Sequence, residues 1–241
     1  MTGKRDRDED FVACSEFGGV RVGVLSDGMG GGISGEMASE LASRTFMHGI
    51  GEIVGKDSDL WEDEEKRREA YAEIVEKCHD VVISMAGGPG LSGTTLTAIV
   101  ASHNNGNVGF ADLIHIGDSR CYEIFPGGHR IATQDHSITG DMVRAGYIEI
   151  HEIEETAGRN TLTKNIGDEN RSQADISNLE LDQECTILLC CDGVWGPLHT
   201  ESGFFEPADF YSQDSANEIV AEAIERGSTD NCSVLILRLL A

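Results

Sequence analysis

The stretch VLSDGMGGGISGEMAS, Val24 to Ser39, decides how this chain is read. An apolar strand pattern reaches Asp27 and breaks into glycines. Helical spacing follows, with Met37, Ala38, Leu41, Ala42 and Phe46 on one face and Ser34 as the expected N-cap. Within it Gly30, Gly32 and Gly35 spell a literal G-x-G-x-x-G. A dinucleotide-binding turn needs that motif directly after a strand, and an acid ending a second strand about 20 residues on. Here Ser26, Asp27, Gly28 and Met29 intervene, and an Asp27 charge would oppose a pyrophosphate. Residues 51–70, GEIVGKDSDLWEDEEKRREA, offer at most a very short strand. The glycines therefore read as permitting a tight turn and close helix packing. The candidate for chemistry is Asp27.

Outward from this stretch, further strand patterns lie at Val20–Asp27, Thr95–Ser102, Asn107–Phe125, Cys185–Gly193 and Cys232–Leu239, the third long enough to divide in two. Helical patterns cover residues 35–50, 61–86, 137–148 and 215–227. The second opens with acids, aligns Ile74, Cys78, Val81, Val82 and Met85, and stops at Gly87-Gly88-Pro89. Regular βαβ alternation is absent, and clustered strands after paired helices predict a layered α+β domain with mostly antiparallel pairing. A single domain over 1–241 is expected, with a flap-like insert at about 140–184 whose residues 158–184 are polar and irregular.

The formal charge of −25 argues against nucleic acid or an anionic membrane as the main partner. Hydrophobic residues at 39% and only four prolines suit a packed core. Seven cysteines without a C-x-x-C, most in apolar runs, fit a reducing, cytoplasmic setting. The opening MTGKRDRDED lacks the apolar region of a signal peptide, and no apolar run approaches the roughly 18 residues of a membrane span.

Asp27, Asp118, Asp192 and Asp230 each stand at the end of an apolar strand pattern, and Arg5-Asp6-Arg7-Asp8-Glu9-Asp10 adds more acids. A single such Asp is most simply a turn or cap residue. Several converging carboxylates repel one another unless a cation bridges them, and Mg²⁺ or Mn²⁺ prefer oxygen ligands.

Seven motifs in order carry a resemblance: RDRDED, DGMGGGISGEMAS, SGTTLTAIVA, IGDSR, Asp135-His136-Ser137, Asp192-Gly193-Val194-Trp195 and Asp230-Asn231. The sequence resembles the metal-dependent serine/threonine protein phosphatases of type 2C, in their compact bacterial form. The resemblance implies a central β-sandwich of two mostly antiparallel sheets flanked by helices on both sides, four layers in the order αββα. It implies hydrolysis of phosphoserine and phosphothreonine in proteins by a metal-activated water at a dinuclear site. Two Mn²⁺ or Mg²⁺ ions are implied, with a third, weaker site. Asp27 would bridge the two. The Gly28 carbonyl and Glu9 would complete one shell, with Asp10 near it, and Asp192 and Asp230 would hold the other ion. Asp118 corresponds to the third-metal position, Arg5 to the phosphate-binding arginine, and Asn231 to a support for the last ligand. The implied partner is a phosphorylated protein, the product of a Ser/Thr kinase. Nothing demands an oligomer, so a monomer is expected.

The chain departs from the family at four places. Met29 replaces the histidine of eukaryotic members and cannot donate a proton. Asp8 replaces an Asn beside Arg5. Gly196 replaces an Asp, which weakens the third site. Little sequence precedes Arg5, so weak anchoring of that residue is expected. Bacterial members commonly carry Met at the Met29 position, so that departure does not imply inactivity. Asp8, Gly196 and the short N-terminus leave an alternative of the same fold, a catalytically weak or inactive phosphoprotein-binding module. An NAD-dependent oxidoreductase is the third reading, on the glycines alone. Cys232 to Arg238 matches C-x₅-R, but its apolar interior reads as a strand rather than a phosphate loop. His115 and His136 read as structural, Cys190-Cys191 as buried filler, and Arg120 as a tether for nearby carboxylates.

Overall fold

The strands Val20–Met29, Leu96–Asn104 and Asn107–Ile116 lie side by side and alternate strictly between two apolar surfaces. Val22, Val24, Leu96, Ala98, Val100, Ile114 and Ile116 face a helix pair. Leu25, Ile99, Ala101, Ala111 and Leu113 belong to a second cluster, shared with the other sheet. A strand buried on both faces reads as a continuous apolar run, which is why these segments stood out in the sequence.

The computed structural model describes residues 1–30, 33–55, 59–104, 107–125, 128–179, 185–200, 203–204 and 214–239. In chain order the elements are β1 (Asp10–Phe17), β2 (Val20–Met29), α1 (Ile33–Val54), α2 (Glu64–Ala86), β3 (Gly93–Thr94), β4 (Leu96–Asn104), β5 (Asn107–Ile116), β6 (Arg120–Phe125) and β7 (Gly128–Ile131). They continue as α3 (Ile138–Arg144), β8 (Asp175–Asn178), β9 (Cys185–Cys190), α4 (Asp192–Leu198), β10 (His199–Thr200), β11 (Gly203–Phe204), α5 (Ser215–Glu225) and β12 (Val234–Leu239). Short 3₁₀ turns lie at Asp59–Glu62 and Ile150–Glu155.

One sheet runs β1-β2-β4-β5-β8, with β3 beside β2. The other runs β12-β9-β6-β7, and β10 and β11 form a separate pair. Every pairing among the described residues is antiparallel. That excludes a Rossmann unit, whose strands are parallel. β2 touches both β9 and β12, so the sheets face each other across the first apolar cluster. α1 and α2 cover the far side of the first sheet, burying Phe46, Ile50, Tyr71 and Ile74 almost completely. Each such side chain contributes about 1.5–3 kcal/mol through burial. α5 packs on β12 and on α4 at the opposite side. The arrangement is the α+β sandwich with helices on both sides.

Local details correct the sequence reading. α1 begins at Ile33. Ser34 is therefore inside the helix rather than its cap, and its carbonyl accepts from Ser92 Oγ at 3.0 Å. α2 is capped by Asp63, whose carboxylate accepts from the Glu65 and Lys66 amides at 3.0 and 3.2 Å. β9 stops at Cys190, and Asp192 opens α4 instead of ending a strand. β1, β7 and β8 were not anticipated. β1 and β8 are sheet edges with only part of their surface covered, so their apolar alternation is weak. Part of the expected irregular insert is thus a strand, and two backbone bonds between Thr94 and Ile166 fasten another part. Residues 180–184 of that insert lie outside the described residues.

Candidate metal centre

Antiparallel pairing sets Asp10, at the start of β1, directly opposite Asp27 near the end of β2. The backbone of Asp27 is fixed from both sides. Its amide donates to Thr95 Oγ1 at 2.9 Å, and its carbonyl accepts from Thr94 Oγ1 and the Thr95 amide, both at 2.9 Å. The neighbouring Gly28 amide donates to the Glu9 carbonyl at 3.0 Å. A Cβ at Gly28 would lie 2.1 Å from the Gly35 carbonyl oxygen and 2.7 Å from that of Glu9. Only glycine allows α1, β1 and β2 to meet here.

The other acids arrive from the second sheet and its connections. Asp192 follows β9, Asp230 precedes β12, and Asp118 sits in the turn between β5 and β6. A cavity of about 520 Å³ opens among them, lined by Arg5, Asp6, Arg7, Glu9, Asp27, Gly28, Met29, Gly30, Thr95, Asp118, Asn160, Leu162, Asp192, Asp230 and Asn231. Eight of the expected site positions are therefore gathered at one cavity, and the ninth, Asp10, pairs opposite Asp27 with both carboxylate oxygens buried.

The electrostatics of this cluster are those of carboxylates packed with little positive charge among them. Burial, then the charges of Asp10, Asp192, Asp118 and Asp230, push the Asp27 carboxyl well above the usual range. Asp10 is pushed up to about 7, by burial first and then by Asp192 and Asp8. Asp192 is raised to about 6 by burial and by Asp230. Asp118 is also raised well above the usual range by burial and Asp192. Among the described residues, both Asp10 oxygens and Asp192 Oδ1 are buried without a hydrogen-bond partner. The Ser233 and Cys191 side chains approach Asp10 closely enough to ease its ionisation, but neither makes a hydrogen bond of good geometry. Buried oxygen donors with free lone pairs and mutual repulsion fit hard divalent cations.

The N-terminal segment is tied down, contrary to the weak anchoring expected from its shortness. Met1 N donates to the Cys232 carbonyl at 3.0 Å, and the Cys232 amide returns a bond to Met1 O at 2.8 Å. Asn231 Nδ2 donates to the Thr2 and Arg7 carbonyls at 3.2 and 2.9 Å, while its Oδ1 accepts from the Glu9 amide at 2.8 Å. Gly3 has φ +56°, and a Cβ there would fall 2.0 Å from the Asp230 carbonyl oxygen. The segment thus lies flat on the loop before β12. It carries Arg5 to the cavity rim, where Nη2 donates to Asp230 Oδ2 at 2.7 Å.

A second set of buried side chains holds the Asp118 turn. Trp195 Nε1 donates to the Asp118 carbonyl at 2.9 Å. Arg120 stacks over the Trp195 ring at 3.5 Å and forks onto Asp135 at 2.9 and 2.7 Å. The tether expected of Arg120 is therefore to Asp135. His136 Nδ1 accepts from the Gly117 amide at 3.1 Å, so its proton sits on Nε2, which faces Asp175 Oδ2 at 3.1 Å. His115 stacks on His136, and burial pushes it down to about 4. Both histidines are structural.

Three features were missed in the sequence. Thr94 and Thr95 clamp Asp27, although the sequence marks them only as part of a motif. The Glu154 carboxylate occupies the space beside Gly196, where a Cβ would meet its Oε1 at 2.6 Å. Its charge also raises Asp192. Cys191 is not mere filler: its Sγ and one oxygen each of Asp10 and Asp27 lie within 4.8 Å of one another.

Residues 3–226 match the family model described as protein phosphatase 2C. The serine/threonine phosphatase stp of Listeria welshimeri is 27% identical over 222 residues, 89% of this chain and 82% of that protein. The solved Mycobacterium tuberculosis serine/threonine phosphatase PstP/Ppp is 26% identical, with a TM-score of 0.77 over 98% of this chain and 94% of that one. A structure of the PstP catalytic domain in complex with 2 manganese ions is also 26% identical, with a TM-score of 0.72 over 98% and 94% of the two chains. With its two antiparallel sheets and converging carboxylates, this chain belongs to the protein phosphatase 2C family.

Proposed function

We propose that this member of the family hydrolyses phosphoserine and phosphothreonine in proteins at the cavity between the two sheets. The observation that supports it most is the gathering of Asp27, Asp10, Asp192, Asp230, Glu9 and Asp118 with unpaired buried oxygens beside Arg5. Asp27 lies at the same cavity as Glu9, just ahead of β1, Asp192, at the start of α4, and Asp230, ahead of β12, and would be shared by two ions. Glu9, the Gly28 carbonyl and Asp10 would hold one ion, and Asp192 and Asp230 the other. Asp118 offers a third, weaker position. Two Mn²⁺ or Mg²⁺ ions, when bound, supply positive charge for the phosphoryl oxygens and acidify a water.

The chain's own residues do the rest. Thr94 and Thr95 hold the Asp27 backbone, which fixes where its carboxylate is rooted at the cavity. Asn231 joins the Glu9 amide to the Asp230 loop, fixing the two sides of the cavity relative to each other. Arg5 presents a permanently charged, planar donor at the rim and can grip two phosphoryl oxygens while retaining Asp230. Met29 lines the cavity and offers no proton to the leaving hydroxyl. Water adds its oxygen to phosphorus as the ester P–O bond breaks and a proton from water ends on the leaving oxygen, so the products are the seryl or threonyl hydroxyl and inorganic phosphate.

The substrate is the product of a Ser/Thr kinase, and the protein acts as a monomer in the cytoplasm. Among the described residues no helix is long and apolar enough to cross a membrane. The test is release of phosphate from phosphothreonine peptides with Mn²⁺, with Asp27→Ala and Asp192→Ala as controls. No metal-dependent turnover above those variants would sink the proposal. Tight phosphopeptide binding without turnover would favour the binding-module alternative.

A further inference from the structure

Cys191 has no place in the chemistry above, yet its sulfur sits beside the carboxylates of Asp10 and Asp27. The residue lies between β9 and α4, immediately before Asp192, and is fully buried. Its Sγ accepts from the Ser233 amide at 3.2 Å and donates to the Asn231 carbonyl at 3.3 Å. These two bonds aim the sulfur. Asp10 and Asp27 face each other in the strand register beside it, and one oxygen from each lies within 4.8 Å of the sulfur and of the other. Both Asp10 oxygens are buried with no hydrogen-bond partner among the described residues. Five other cysteines, at 78, 121, 185, 190 and 232, are buried too, and Cys14 is exposed. Among the described residues, Cys191 alone joins a compact set of three potential ligands.

We propose that Asp10, Asp27 and Cys191 form a second metal-binding mode, selective for thiophilic divalent cations such as Zn²⁺ and Cd²⁺. Sulfur is a soft ligand that Mg²⁺ and Mn²⁺ have little use for, whereas Zn²⁺ accepts mixed sulfur and oxygen shells. The ion displaces the thiol proton to solvent, and the Cys191 sulfur then forms the metal–sulfur bond. The Asn231 carbonyl loses its thiol donor in the exchange. Because Asp27 would also serve the hard ions, the two modes compete. Zinc bound this way withdraws Asp10 and Asp27 from the catalytic arrangement and inhibits it. This inference rests on the proposed metal-dependent reading for its inhibitory consequence, but not for the binding itself.

The experiment is a titration of metal-free full-length Cys14→Ser protein with Cd²⁺ and with Co²⁺, which removes the exposed thiol from the readout. The expected result is one equivalent of ion giving a thiolate-to-metal charge-transfer band in the ultraviolet. Adding Cys191→Ser abolishes the band and weakens Cd²⁺ binding at least about tenfold, while adding Cys190→Ser leaves both intact. Cadmium NMR of the Cys14→Ser protein reports one sulfur among oxygen ligands without depending on a Cys191 variant that folds. An oxygen-only cadmium signal, or a band that persists in Cys191→Ser, overturns the proposal. Inhibition by Zn²⁺ is read in parallel against each protein's own Mn²⁺-dependent phosphatase rate. A thiolate band without Mn²⁺-dependent turnover leaves the site standing and the phosphatase reading fallen. Turnover without the band does the reverse.

Discussion

Replacing Asp10 with Asn should stabilise the metal-free protein while weakening its grip on metal. Asp10 is buried, neither oxygen is hydrogen-bonded, and its carboxyl is raised to about 7 by burial and by Asp192 and Asp8. An ordinary Asp titrates near ~3.9, so about three pKa units separate native from unfolded, at about 1.36 kcal/mol each. At about pH 8 the ionised group therefore costs the native state up to ~4 kcal/mol. Asp27 and Asp192 share that repulsion, and burying an amide has its own cost, so a net gain of ~2 kcal/mol is expected. In Asp10→Asn the amide also gains a donor facing Asp27, its cross-strand partner. For a chain of this size that corresponds to a rise in Tm of about 4–8 °C. The assay is thermal unfolding in EDTA, repeated with saturating Mn²⁺. Saturating metal at about 100 times Kd stabilises the wild type by ~2.7 kcal/mol, and Asp10→Asn should lose much of that increment. A metal-free variant less stable than wild type, with its Mn²⁺ increment intact, would refute the reasoning.

The same charges give the metal-free protein a pH signature. Asp10, Asp27, Asp118 and Asp192 have native pKa values above their unfolded ones, so the native state holds more protons and stability falls as pH rises. His115 and His199, both lowered to about 4, act in the opposite sense, but only below about pH 6.5. Urea unfolding in EDTA should therefore show stability dropping between about pH 6.5 and 8, and Mn²⁺ should abolish the drop. Stability flat or rising over that window would contradict the charge clustering. Gly3→Ala forces a side chain against the Asp230 carbonyl at a left-handed φ. It should raise KM for phosphopeptide several-fold through Arg5 while costing ~1–3 kcal/mol of stability, measured by steady-state kinetics and urea unfolding. Arg5→Ala should lower kcat/KM about 10–100-fold, the worth of one or two charged hydrogen bonds, and Arg5→Lys should restore only part. Asp135→Asn leaves the buried Arg120 charge uncompensated and should cost ~3–5 kcal/mol in urea unfolding.

The sandwich was legible where both faces of a strand are buried, as in Val22–Leu25 and Ala98–Ala101, because such segments carry almost no polar side chains. The edge strands β1 and β8 were not, since half-covered residues such as those of DFVACSEF dilute the pattern. The site acids were legible through strand ends and motif order, and the structure gathers them at one cavity. What escaped depends on closeness between distant segments. Asn231 bonds to Thr2, Arg7 and Glu9, and nothing in its local sequence marks those partners. The N-terminal strap, the Glu154 carboxylate beside Gly196 and the sulfur of Cys191 beside Asp10 are of the same kind. The Ser34 cap failed because α1 starts at Ile33, two residues before the expected Gly35, which places Ser34 within the helix.

The most direct test of the central claim follows Mn²⁺ occupancy and phosphate release in one titration of the metal-free protein. Free Mn²⁺ is read by electron paramagnetic resonance, and release from a phosphothreonine peptide is read in the same samples. The account predicts no turnover without metal, turnover that rises as the second ion binds, and, in Asp27→Asn, neither turnover nor the fall in free Mn²⁺ that marks binding. Turnover in the metal-free protein, or full turnover in Asp27→Asn, would contradict it.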